Sequence, residues 1–184
     1  MKFAKQLIAL AAVAAAFSAH AESDITTGAG ALTATARLDF RVIVPKVLFL
    51  QVGTGTAFAD LATVDLVTFT LTAGDVTSGL PIAGVSSGGT INARVLGNGG
   101  NVTFGSTGTV GGLTNGAQTI PWTQIAPTVV GALIHPTVDA PAATLTATAG
   151  VVNQTSVYSF NYSNSSVVAA GTYNGRVTYT ASVL

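Results

Sequence analysis

Thr33-Ala34-Thr35-Ala36-Arg37-Leu38-Asp39-Phe40-Arg41-Val42-Ile43-Val44 changes polarity at every second residue through its second half. Successive side chains of an extended chain leave on opposite faces, so this spacing gathers Leu38, Phe40, Val42 and Val44 on one face and Arg37, Asp39 and Arg41 on the other. A helix would need apolar positions three and four apart, and the period here is two. The stretch reads as a half-exposed β-strand carrying a charge ladder on its outer face. Pro45 ends the pairing, because proline has no N–H to offer a ladder.

The same period continues through the rest of the chain. Strands are expected at residues 47–52, 64–71, 90–96, 102–105, 118–125, 143–148, 156–163 and 172–183, all rich in β-branched or aromatic residues. Between them lie clusters such as Gly97-Asn98-Gly99-Gly100-Asn101 and Gly111-Gly112-Leu113-Thr114-Asn115-Gly116, whose glycines and asparagines tolerate the positive φ of tight turns. Many short strands, frequent turns and no helical periodicity predict an all-β fold, a Greek-key sandwich rather than parallel βαβ units. An outer-membrane barrel would need girdles of interfacial aromatic residues and longer uniform strands, and aromatics are only 7% of this chain.

Upstream, basic Lys2 and Lys5, an apolar run from Leu7 to Phe17 and the small-residue exit Ala19-His20-Ala21 form the three parts of a secretory signal. Residues 1–21 are therefore expected to be removed on export by the general secretory route. The apolar run is short for a membrane span, and no later stretch approaches the ~18 uninterrupted apolar residues that a span requires. Residues 22–32 read as an N-terminal extension and 33–184 as one β-sandwich domain.

Removing Lys2 and Lys5 from the seven basic residues leaves Arg37, Arg41, Lys46, Arg94 and Arg176 against seven acidic ones. These cations are few and scattered, which argues against nucleic acid or anionic lipid as partners. Only 8% of residues are charged, where a quarter is usual for a soluble domain. A surface so poor in charge is the kind that assemblies bury. There is no cysteine, so an exported chain must here rely on burial and backbone hydrogen bonds instead of disulfides.

Catalytic groups are sparse. Beyond the signal the one histidine is His135, beside Pro136, and reads as a loop residue without a nucleophile elbow to serve. Asp39, Asp60, Asp65, Asp75 and Asp139 are isolated rather than grouped as in a calcium loop, and read as turn formers and caps; no metal or cofactor is expected. The glycine-rich segments precede strands, whereas phosphate cradling needs a helix N-terminus behind the loop. Trp122, next to Pro121 in an expected strand, reads as a core anchor, with ligand stacking as its alternative role. The Asn-x-Ser/Thr triplets at Asn101, Asn153, Asn161 and Asn164 are what chance gives in a chain this rich in Asn, Ser and Thr.

The final stretch reads Val168-Ala169-Ala170-Gly171-Thr172-Tyr173-Asn174-Gly175-Arg176-Val177-Thr178-Tyr179-Thr180-Ala181-Ser182-Val183-Leu184. It resembles the closing strand of chaperone-usher-type bacterial pilins, in which an Ala-Gly-Thr-Tyr turn leads into alternating Val, Thr and aromatic residues. Gly171, Tyr173, Val177 and Tyr179 carry the resemblance. It implies an immunoglobulin-like sandwich lacking one strand, completed by the N-terminal extension of a neighbouring subunit. The implied donor is Asp24-Ile25-Thr26-Thr27-Gly28-Ala29-Gly30-Ala31-Leu32, with Ile25, Thr27, Ala29 and Ala31 entering the groove. It further implies a head-to-tail homo-oligomeric filament, a periplasmic chaperone, an outer-membrane assembly protein, and passage through the periplasm to the cell surface. Such pilins often carry a disulfide, which this chain lacks.

The function expected from these readings is a structural subunit of an extracellular fibre with no enzymatic activity. The alternative is a monomeric secreted or periplasmic β-sandwich binding module, carbohydrate-directed, using Trp122 and polar loops.

Overall fold

A computed structural model describes residues 22–55, 58 and 62–183, and the chain divides into two units, Met1–Val44 and Pro45–Leu184. The secretory signal read over residues 1–21 lies outside the described residues, as does Asp60.

In the first unit, residues 22–44 join no ladder and no helix. The chain bends at Gly28, Ala29 and Gly30, and side chains bridge the stretches before and after the bend. The Thr26 hydroxyl donates to the Thr33 carbonyl at 3.1 Å, the Thr35 N–H donates to Asp24 at 3.3 Å, and the Arg37 guanidinium grips Glu22 at 2.7 and 2.9 Å. That grip holds the Glu22 carboxyl below its usual pKa and raises that of Arg37. From Leu38 onward the apolar side chains are in water: Leu38 is 76% exposed, Phe40 85%, Val42 85%, Ile43 82% and Val44 71%. The strand expected over residues 33–44 is thus absent from the ladders. Alternation supplies a strand with an apolar face, but its N–H and C=O groups also need a neighbouring chain, and none is paired with them.

The second unit carries β1 (Leu48–Gly53), β2 (Val67–Thr68), helix α1 (Ala73–Ser78), β3 (Ile82–Ala83), β4 (Val85–Ser86), β5 (Ile91–Gly97), β6 (Val102–Gly108), β7 (Leu113–Thr114), β8 (Thr119–Ile120), β9 (Ile125–Gly131), β10 (Ala143–Leu145), β11 (Val152–Tyr162) and β12 (Val177–Val183). All pairings are antiparallel. β11 is the spine of a five-stranded sheet: β5 and then β3 lie along one edge, β9 along the other, and β1 pairs the far side of β5. β10, β6 and β12 make a three-stranded sheet. The inward rows of both meet in one core, where Ala93, Val95, Val102, Phe104, Leu145, Val152 and Tyr158 are buried together with Leu133 from a loop. The expected all-β class holds, with the core between two antiparallel sheets.

Turn chemistry joins the layers where the sequence placed it. Asn98, in the turn between β5 and β6, donates from its amide to the Pro45 carbonyl and accepts from the Val47 N–H, each at 2.7 Å. It thereby fastens the start of β1. The hairpin entering β11 is a two-residue turn at Ala149 and Gly150, both at positive φ, closed by paired bonds between Thr148 and Val151.

Three readings need correction. The expected strand over 64–71 shrinks to two residues, followed by a helical turn: Thr72 accepts from the Asp75 N–H, and the Asp75 carboxylate accepts from the Thr72 N–H, a reciprocal cap closed by Gly79 at φ 64. Asp75 is a cap, as expected, and its carboxyl is held low chiefly by the Thr72 side chain. The expected strand over 118–125 breaks at Pro121, where Trp122–Gln124 form a 3-10 turn. Finally, β9 forms where no strand was expected, because the prolines of that region mask its period; Pro127 sits in it opposite Phe160.

Candidate functional site

Three features can be asked for function: the histidine, the tryptophan and the strand edges. His135 sits in the loop after β9, half-buried, with its ring edge-on to Tyr158, Phe160 and Tyr179 at 5.1, 5.4 and 5.5 Å between centroids. Nε2 and the Tyr179 hydroxyl share a hydrogen bond of 2.8 Å, while buried Nδ1 has no partner. Burial pushes the His135 pKa down to about 4, with the Pro136 backbone pulling weakly the other way. Burial also raises the hydroxyl pKa of Tyr158 and Tyr179. Tyr158 donates to the Ile134 carbonyl at 2.6 Å. The residue read as an idle loop histidine is therefore a neutral packing group joining β11 of one sheet to β12 of the other.

Trp122 donates from its indole N–H to the Thr109 carbonyl at 2.9 Å. A side chain at Gly108 would collide with its Nε1, and one at Gly175 would come 3.0 Å from Cη2. The indole is a packing anchor over glycine backbone, on a turn instead of a strand. Asp65 accepts from the Thr54 N–H and hydroxyl at 2.7 and 3.1 Å, and among the described residues no group of three or more His, Cys, Asp or Glu side chains comes together. Asn164 is buried and donates to the carbonyls of Asp75 and Leu80, so its amide is committed to structure.

The edges differ sharply from one another. On the outer edge of the five-stranded sheet, β9 carries Pro127 mid-strand, a device that discourages further pairing. β10, one edge of the three-stranded sheet, is only three residues long. The other two edges are unguarded: β1 reads Leu-Phe-Leu-Gln-Val-Gly and β12 reads Val-Thr-Tyr-Thr-Ala-Ser-Val, without proline or charge. Among the described residues β1 pairs only with β5 and β12 only with β6. They approach each other along one flank of the unit. Their inward residues, Leu50 and Val52 from β1 and Tyr179, Ala181 and Val183 from β12, pack against the core yet stay only partly buried. A seven-residue uncharged edge above half-covered apolar side chains can accept a strand of another chain.

Of the residues singled out in the sequence, Val177 and Tyr179 lie in this edge. Gly171 and Tyr173 lie before it, since β12 starts at Val177: Asn174 pairs with Thr114, and the Tyr173 hydroxyl donates to the Ala169 carbonyl at 2.9 Å. Ile25, Thr27, Ala29 and Ala31 are exposed in the first unit, with the bend at residues 28–30 in their midst. The unguarded β1 edge was missed. Its only sequence signal is the absence of charge and proline over residues 48–53.

No helix of the described residues is long and apolar enough to cross a membrane. Compared with known proteins, the chain matches no family model, no curated protein and no solved structure.

Proposed function

We propose that the chain is a structural subunit of an extracellular, pilus-like fibre, exported by the general secretory route and polymerised by β-strand complementation, without catalytic activity. On this reading the two sheets are an immunoglobulin-like Greek-key sandwich short of one strand, which a neighbouring copy supplies head to tail. The observation that carries it is the pair of unguarded edges, β1 and β12, flanking partly covered core residues, while the other two edges are shortened or carry proline. Contact between an edge and a segment elsewhere on the next copy does not close on itself, so it propagates as a filament. A charged fraction of 8% suits a surface largely covered in such a polymer.

The test is negative-stain electron microscopy of the purified chain from residue 22 and of sheared cell surfaces, beside the same chain lacking residues 22–44. Fibres that vanish on the deletion support the reading. Monodisperse particles from both proteins overturn it in favour of the monomeric binding module.

A further inference from the structure

Resting on the fibre reading, we propose that the donated strand is residues 38–44, Leu38-Asp39-Phe40-Arg41-Val42-Ile43-Val44, rather than residues 24–32. Leu38, Phe40, Val42 and Val44 enter a second copy of the chain along the free edge of its β12.

Four observations converge on it. Residues 24–32 offer the groove Ile25 and then only threonine, alanine and glycine, whereas residues 38–44 offer four large apolar groups at alternate positions. Residues 22–37 spend polar groups on one another through the Thr26–Thr33, Asp24–Thr35 and Glu22–Arg37 bonds, while residues 38–44 join no ladder. Five consecutive-to-alternate large apolar side chains there stand 71–85% exposed, a concentration that soluble chains avoid unless something covers it. Lastly, the faces match: β12 turns Tyr179, Ala181 and Val183 toward the core and Thr178, Thr180 and Ser182 outward. A strand laid beside it with Phe40 and Val42 inward would put Asp39 and Arg41 outward, next to hydroxyls and water.

The edge of β12 is favoured over that of β1 on two grounds. β1 ends at Gly53, whose φ of 131 turns its edge out of regular extension, and its start is clamped by Asn98. β12 alternates without interruption over all seven residues. The occupant is a second copy because in one copy Leu38, Phe40, Val42 and Val44 stand exposed and the backbone of the segment joins no ladder.

The experiment uses the chain from residue 22, its Phe40→Asp/Val42→Asp double variant, its Ile25→Asp variant, and the chain lacking residues 22–32, each followed by electron microscopy, light scattering and amide hydrogen exchange at residues 38–44 and at β12. The expected result is fibres from the wild type, from Ile25→Asp and from the deletion, and at least ~100-fold fewer from the double variant, whose near-UV circular dichroism and melting temperature match the wild type. Fibres that survive the double variant but vanish with Ile25→Asp or the deletion would overturn the assignment and leave the fibre reading standing, with residues 24–32 as donor. A wild-type monomer overturns both. A wild-type monomer whose residues 38–44 are protected from exchange identifies insertion into the same copy as the reason.

Discussion

Residues 38–44 and β5, residues 91–97, are written in the same period: Leu38, Phe40, Val42 and Val44 alternate in one, Ile91, Ala93 and Val95 in the other. In β5, Ile91 is 8% exposed, Ala93 1% and Val95 0%, while the alternate residues of 38–44 stand more than two-thirds in water. The difference is neighbours. β5 has β1 on one edge and β11 on the other, so every pleat is held in register and its inner row is pressed onto β6 and β10. Residues 38–44 have the row without the ladders. Alternation therefore states which side chains share a face, and leaves open which chain completes the sheet.

The comparison breaks most visibly at two phenylalanines. Phe104 is fully buried between the sheets and stacks on Tyr179 at 6.2 Å between centroids. Phe104→Ala is expected to cost about 3–5 kcal/mol in urea unfolding of the monomer, because transfer and cavity terms add. Phe40→Ala, at a position with the same pattern, is expected to change monomer stability by under ~0.5 kcal/mol. Similar losses from both would mean that residues 38–44 are already packed within one copy.

A smaller effect is expected at His135, which is half-buried with no periodic signature at all. Its folded pKa of about 4 lies below the ordinary value near 6.5, so the folded state resists protonation. Stability should be full above pH 6.5, fall as the pH drops from 6.5 to 4, and level off below that. The size should be about 1–2 kcal/mol, discounted because part of the ring still meets water. Melting curves across that range should show the slope, and His135→Phe should flatten it. An unchanged slope would assign acid sensitivity to another group.

The smallest effect sharpens the turn reading. Ala149 occupies φ 51 in the Thr148–Val151 hairpin, a conformation that costs an L-residue roughly 1 kcal/mol. Ala149→Gly should therefore raise stability by up to about 0.5–1 kcal/mol, less the extra entropy glycine brings to the unfolded chain. A loss on chemical denaturation would show that the entropy term dominates at this turn.

Much of the fold was legible. β1, β5, β6 and β11 fall near their expected positions, since each keeps period two between glycine or asparagine turns. The capped turn at Thr72 was written as Thr-x-x-Asp and could have been read as a helix start. β9 was not legible, because Pro127 within it argues against a strand unless the strand is known to be an edge. The candidate site was half legible: Val177 and Tyr179 were named, but an unguarded edge is a property of what does not pair with it.

By itself the sequence determined the all-β class, the faces of its strands, the turn positions and the dependence on burial in a chain without cysteine. Covalent geometry and local sterics impose these on any stretch a few residues long. Only the tertiary structure decided that residues 38–44 stay outside the ladders, that Trp122 packs on a turn, that His135 bridges the two sheets, and that β1 and β12 keep free edges among the described residues. Each of those depends on groups far apart in the chain meeting, or failing to meet, a hydrogen-bonding partner and an apolar surface to share.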